Sequence, residues 1–102
     1  MSQRFAEVLA RLSTTIAERK AADAGSSYTA QLLKDPARAA KKLGEESIEA
    51  VIAALGTDAD ALAAESADLV YHWLVVMAGA GVSLDEVAAK LEAREGKTGL
   101  EG

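Results

Sequence analysis

The sequence predicts an all-α protein, a bundle of four to five helices built around a central antiparallel helix hairpin. Half of the 102 residues are apolar and 26% are charged, a balance that excludes a disordered chain. Ala, Leu, Glu and Lys are abundant, and these are strong helix formers. Apolar side chains also recur at helical spacing, and a chain of this length forms one domain.

The first predicted helix runs from about Gln3 to Ala22. Its apolar side chains form a single stripe, at positions Phe5, Val8, Leu9, Leu12 and Ile16. Gly25 lies in the polar segment that follows and is a natural helix stop. We expect a short helical turn at Ala30–Lys34 after it.

The second and third predicted helices, Pro36–Leu55 and Ala59–Ala80, form the hairpin. Asp35 is a suitable N-cap before Pro36, and Thr57 or Asp58 can cap the third helix after Gly56. Because only a few residues connect the two helices, they should pack antiparallel.

Ser83 begins the fourth long helix, with Glu86 three residues later as a capping box, and this helix reaches about Arg94. Gly79 and Gly81 should end the helix before it. We therefore expect one all-α domain at residues 1–95 and a flexible tail at residues 96–102.

Composition excludes several function classes. The chain has no cysteine, so disulfide scaffolds and thiol chemistry are excluded. Its net charge of −5 disfavours nucleic-acid binding. The longest apolar run, Ala67–Ala80, contains Asp68 and His72, and we interpret it as too short and too polar for a membrane span. With no signal-peptide pattern at the first residues, we expect a cytoplasmic protein.

The third helix is apolar nearly all round from Leu69 to Ala80. A helix without a polar face must be covered on every side, which a small monomer achieves with difficulty. We therefore expect a homodimer whose bundle core is shared between two chains.

Two acidic pairs mirror each other across the hairpin. Glu46 and Glu49 are three residues apart on the second helix, and Glu65 and Asp68 repeat this spacing on the third. Counted from Thr57, the pairs lie 8 and 11 residues away on both sides, at matching heights of roughly 12 and 16 Å. The four carboxylates should converge.

Four carboxylates in a partly dry site repel one another unless they protonate or bind a cation. Oxygen ligands suit a hard divalent ion, so we predict Mg²⁺, with Mn²⁺ as an alternative. Because Mg²⁺ is usually shared with phosphates, the cluster indicates a phosphorylated substrate.

Several neighbours of the cluster have two interpretations. Glu45 either reaches the site edge as a further carboxylate or base, or faces solvent. Lys42 either meets a phosphate or forms an ion pair with Glu46 one turn later. His72 follows Asp68 by one turn and is either a core residue or a site residue. The cations at 19–20 either complement the helix end or clamp a phosphate, since hydroxyl-bearing residues follow at 26–29.

The chain resembles phosphoribosyl-ATP pyrophosphohydrolases of histidine biosynthesis, which are all-α enzymes related to MazG and the dimeric dUTPases. The resemblance covers about residues 5–95. It rests on four segments: Glu-Arg-Lys at 18–20, Ser-Tyr-Thr at 27–29, Lys-Lys-Leu-Gly-Glu-Glu-Ser-Ile-Glu at 41–49, and Glu-Ser-Ala-Asp-Leu-Val-Tyr-His-Trp-Leu-Val at 65–75.

This resemblance implies hydrolysis of phosphoribosyl-ATP between its α- and β-phosphates, giving phosphoribosyl-AMP and pyrophosphate. It places Mg²⁺ on the four mirrored carboxylates, with Glu45 or Glu46 orienting the attacking water and Glu49 also in the catalytic set. The substrate-binding residues it implies are Arg19, Lys20, Ser27, Tyr28, Thr29, Lys42 and His72, some of them reaching across a dimer interface.

Two alternatives stay open. One is a house-cleaning dNTP pyrophosphatase of the MazG or dUTPase type, which would share the metal site and differ in the base pocket. The other is a non-catalytic helical dimerisation module, which accounts for the apolar third helix but not for four carboxylates at matching heights.

Overall fold

The computed structural model describes residues 3–96, and this part of the chain is all-α, with five α-helices and no strand. The all-α prediction is therefore confirmed. The helices are α1 (Gln3–Glu18), α2 (Tyr28–Leu33), α3 (Pro36–Leu55), α4 (Ala59–Ala80) and α5 (Leu84–Glu92). Of the predicted flexible tail, residues 97–102 lie outside the described residues.

The segment between α1 and α2 differs from the prediction. The first helix ends at Glu18 rather than Ala22, and a 3₁₀ turn, Arg19–Ala21, follows it. Ala22 is extended and its carbonyl accepts a hydrogen bond from the Lys34 ammonium, which ties the start of this loop to the end of α2. The short helix α2 begins at Tyr28, two residues before the start of the predicted turn Ala30–Lys34. It begins there because the Ser27 side chain accepts a hydrogen bond from the Ala30 amide as an N-cap.

The hairpin of α3 and α4 has the predicted bounds. Asp35 caps α3 through the Arg38 amide, with Pro36 at the first helical position. Asp58, rather than Thr57, caps α4, since its carboxylate accepts from the amides of Asp60 and Ala61. The two helices pack along each other.

The end of α4 is formed at Gly81, whose φ of 73° lies in the left-handed region that glycine adopts without strain. Gly79 is still within the helix, so only one of the two predicted stop residues acts as one. The capping box of Ser83 and Glu86 is present at the start of α5, and that helix ends at Glu92, short of the predicted Arg94.

The core lies at one end of the hairpin. Its buried side chains come from α1, α2, the start of α3 and the second half of α4: Ile16, Leu32, Ala39, Leu74 and Val75. Leu69, Tyr71, Trp73 and Met77 are half-buried. A single chain thus covers the second half of α4 more fully than its sequence predicts, because α1 and α2 pack on it.

By length and composition α4 could cross a membrane, since at Ala59–Ala80 it is longer than the apolar run Ala67–Ala80 considered from the sequence. However, α1, α2 and α3 all pack against α4, and Glu65 and Asp68 lie near its middle. We therefore interpret its hydropathy as that of the central helix of a bundle.

A continuous exposed apolar surface lies on α3 instead. Its side chains follow the spacing of one helix face, and we call them the α3 stripe: Ile48, Val51, Ile52 and Leu55, exposed by 62%, 58%, 60% and 84%. Half-buried residues such as Glu46 and Ala50 face the other way. The stripe is therefore on the side of α3 that α4 leaves uncovered.

Candidate active site

Three of the four mirrored carboxylates meet in the middle of the hairpin. Oxygen atoms of Glu46, Glu65 and Asp68 lie within 4.8 Å of one another. Glu46 comes from α3 and the other two from α4, where a separation of three residues places them on one face. Antiparallel packing about a short connection brings Glu46 level with Asp68, each 11 residues from Thr57, and Glu65 joins them from one turn nearer the connection.

Glu49 lies beside this group rather than in it. It is exposed on α3, one turn after Glu46, and it is close enough to contribute to the pKa of Glu65. The fourth carboxylate of the prediction is thus at the edge of the cluster.

The cluster raises the pKa of Glu65 above its ordinary value. Partial burial, which disfavours the charged form, is the largest cause, and the charges of Asp68, Glu49 and Glu46 follow. Like charges are therefore held together by the helix packing although they repel. A cation at this position would remove the repulsion.

Lys42 and Glu45 form an ion pair on α3, with 3.1 Å between Nζ and Oε1. The predicted pair of Lys42 with Glu46 is thus replaced by a pair with the residue three positions later. Glu45 raises the pKa of Lys42, with smaller contributions from Tyr28 and Glu46. Lys42 is therefore within electrostatic reach of both Tyr28 and Glu46.

A chain of hydrogen bonds connects α2 to the cluster through His72. A backbone carbonyl only accepts, so Nδ1 of His72 donates to the Asp68 carbonyl at 2.8 Å. In the neutral ring Nε2 is then the acceptor, and it receives the Tyr28 hydroxyl at 3.2 Å. His72 is only 7% exposed. Both ring nitrogens are used inside the protein, which favours the core interpretation of His72 over direct substrate contact.

The other residues of the Ser-Tyr-Thr segment also bind within the chain. Ser27 caps α2, and the hydroxyls of Thr29 and Tyr71 are hydrogen-bonded to each other. Tyr28 remains 40% exposed. The segment is therefore fixed against α4 by two hydroxyl contacts, while Tyr28 stays partly exposed.

Arg19 and Lys20 are exposed on the 3₁₀ turn after α1. Lys20 lines a cavity of about 490 Å³ that also involves Ile16, Leu74 and Asp85. None of the four predicted carboxylates lines this cavity. Within the part of one chain described by the structure, Lys20 thus belongs to a different concave surface from the carboxylate cluster.

Comparison with known proteins identifies the family. The model of the family described as phosphoribosyl-ATP pyrophosphohydrolase matches residues 9–95. The chain belongs to this family. A phosphoribosyl-ATP pyrophosphatase of Caulobacter vibrioides is 66% identical over 100 residues, which cover 98% of this chain and 94% of the relative. A protein of the same name from Parvibaculum lavamentivorans is 55% identical over 96 residues, covering 93% and 88%.

The family match includes every site residue that the sequence predicts. It also includes one residue that sequence reasoning missed, Arg38, whose guanidinium carbon lies 5.8 Å from the centroid of the Tyr28 ring. A signal was present, because Arg38 precedes Lys42 by four residues and the two therefore share a helix face.

Proposed function

We propose that this chain hydrolyses phosphoribosyl-ATP to phosphoribosyl-AMP and pyrophosphate, a step of histidine biosynthesis. Membership of the phosphoribosyl-ATP pyrophosphohydrolase family over residues 9–95 supports the substrate. The observation that carries the chemistry is the group formed by Glu46, Glu65 and Asp68, within 4.8 Å of one another. A non-catalytic dimerisation module gives no reason for this arrangement.

The donor set fits a hard divalent cation. All its ligand atoms are carboxylate oxygens, and partial burial together with the neighbouring carboxylates raises the pKa of Glu65, which favours a bound positive charge. We propose Mg²⁺, with Mn²⁺ as an alternative, held by Glu46, Glu65 and Asp68 with Glu49 at the edge. Bound there, the ion would offset the charge of the substrate's phosphates.

The remaining carboxylates supply the base for the attacking water. Glu46 belongs to the group that would face the cation, where it would serve as a ligand. Glu45 and Glu49 lie outside this group on α3, and we propose that one of them orients the water and accepts its proton. Glu45 is held by Lys42, while Glu49 makes no ion pair among residues 3–96.

We also propose that the enzyme is a homodimer. The α3 stripe is a continuous apolar face on a helix whose other side already packs on α4, and such a face is stable in water when a second copy covers it. We further propose a cytoplasmic location, because a chain without cysteine needs no oxidising compartment.

The function is tested by Mg²⁺-dependent pyrophosphate release, measured in parallel on phosphoribosyl-ATP, dUTP and dCTP. We expect turnover of phosphoribosyl-ATP and a far lower kcat/KM for the other two. Preference for dUTP or dCTP would instead support the house-cleaning enzyme, and no release from any of the three would support the dimerisation module.

The site assignment is tested with Glu46→Gln and Glu49→Gln, each compared with Glu92→Gln on α5. We expect the first two to lower kcat by about a hundredfold or more, since each removes a charge that acts in the transition state. The control should retain wild-type turnover, and all three should keep the helical circular dichroism of the wild type. Full activity in Glu49→Gln would contradict its role.

A further inference from the structure

Arg38 is an exposed cation held in a defined place. Its guanidinium lies over the face of the Tyr28 ring, and the Tyr28 hydroxyl is fixed by the buried His72. A cation over an aromatic face is attracted by the negative π cloud. Within residues 3–96 Arg38 makes no ion pair, and the Asp35 carboxylate accepts from its backbone amide. The guanidinium donors at the edge of the group thus remain available to a ligand.

Lys42 extends this positive surface toward the carboxylates. It follows Arg38 by one helical turn on the same face of α3, and Arg38 itself lies 5.8 Å from the centroid of the Tyr28 ring. The Lys42 ammonium also forms an ion pair with Glu45, with 3.1 Å between Nζ and Oε1. Two cations therefore lie in a row along α3, between the start of α2 and the acidic cluster.

Arg38, at the far end of this row of two cations, lies at a fixed distance along α3 from the carboxylate cluster. Arg38 precedes Glu46 by eight residues, which is about 12 Å along the helix axis. The Tyr28 to His72 to Asp68 hydrogen bonds connect the two places from the side of α4. A ligand that binds Arg38 and also the cation proposed at the cluster must therefore span about 12 Å and carry anionic groups at two separate points.

The proposed substrate has this form. Phosphoribosyl-ATP carries a triphosphate on one ribose and a single phosphate on a second ribose, which is attached to the other side of the adenine. We infer that Arg38, with Lys42 beside it, binds the single phosphate of the phosphoribosyl group while the triphosphate lies at the carboxylate cluster. This inference rests on the proposed function, and it makes Arg38 a specificity-determining residue.

The reason is chemical. A guanidinium forms paired, charge-assisted hydrogen bonds to phosphate oxygens, and its planar group is already oriented by the Tyr28 ring. ATP and deoxynucleoside triphosphates lack the second phosphate, so they gain nothing from this contact. The same cations could instead hold the pyrophosphate portion of the triphosphate, and the experiment separates these two sources.

The test compares two substrates that differ only in the single phosphate: phosphoribosyl-ATP and N1-ribosyl-ATP. Steady-state kinetics are measured for the wild type, Arg38→Ala, Arg38→Lys and the matched control Arg94→Ala, an exposed guanidinium that follows α5. Circular dichroism and melting temperature confirm that each variant is folded.

On phosphoribosyl-ATP we expect Arg38→Ala to raise KM by about tenfold or more with little change in kcat, because the lost contact is remote from the bond that breaks. Arg38→Lys should raise it less, since the charge remains. On N1-ribosyl-ATP both variants should equal the wild type, and Arg94→Ala should be neutral on both substrates.

An equal loss on the two substrates would assign Arg38 to the triphosphate and overturn the inference, as would no loss on either. If the wild type released no pyrophosphate from phosphoribosyl-ATP, the proposed function itself would fail and the inference with it. Wild-type turnover with equal losses would refute the inference alone.

Discussion

Replacing Ile52 by Ala on the α3 stripe should weaken homodimerisation by about a hundredfold. The change removes about three methylene equivalents, each worth about 0.8 kcal/mol when buried. Since Ile52 is 60% exposed in one chain, a partner that covers it fully would bury the remaining surface, and about 1.5 kcal/mol per copy would be lost. A two-fold dimer contains the substitution twice, which gives about 3 kcal/mol.

The dissociation constant is measured by analytical ultracentrifugation or light scattering over a dilution series. Leu91→Ala is the matched control, because it removes the same number of carbons from a side chain that is 52% exposed on α5. We expect the control to dissociate at the wild-type concentration. Circular dichroism of the dissociated Ile52→Ala variant then shows whether the single chain keeps its helices.

Two results would refute this reasoning. One is a wild type that remains monomeric at every concentration. The other is an equal effect of Ile52→Ala and Leu91→Ala, which would mean that the α3 stripe is not the interface.

Two further predictions concern stability. Burial and neighbouring carboxylates raise the pKa of Glu65 above 4.5, so the folded state binds this proton more tightly than the unfolded chain. The free energy of unfolding of the metal-free protein should therefore fall as pH rises from about 4.5 through the raised pKa. Urea unfolding at several pH values should show a smaller fall for Glu65→Gln than for the wild type. An unchanged pH slope in this variant would contradict the prediction. Tyr28→Phe should lower stability by about 1–2 kcal/mol, because Nε2 of the buried His72 loses its donor. An unchanged urea midpoint at fixed protein concentration would contradict this second prediction.

The hairpin could be predicted from sequence because its signals are local. Pro36 after Asp35, and Asp58 after Gly56, fix the two helix starts, and the structure has both helices at the predicted bounds. Once the connection is known to be short, the residue count places Glu46 level with Asp68, whereas the choice of Glu46 rather than Glu49 as the partner of Glu65 depends on how the two helices pack.

The surroundings of the cluster could not be predicted in this way. The placement of α2 against α4 depends on contacts between residues far apart in sequence, such as Tyr28 with His72. The spacing of Arg38 and Lys42 is visible in the sequence, but the position of Arg38 over the Tyr28 ring depends on how α2 packs against α3. Likewise, the sequence of α4 predicts an apolar helix that a single chain leaves exposed. The packing of α1 and α2 on α4 depends on contacts between distant residues and cannot be predicted from the sequence of α4 itself.

The short connection between α3 and α4 sets how the carboxylates of the two helices are aligned. Each residue inserted there on one side would move one row of carboxylates by about 1.5 Å and rotate it by about 100° relative to the other. Asp58 fixes the alignment of α4 relative to α3, because as the N-cap it starts α4 at a single position. We therefore expect insertions in the α3–α4 connection to abolish activity, although other loops tolerate them. Additions at the two ends of the chain should disturb this alignment less.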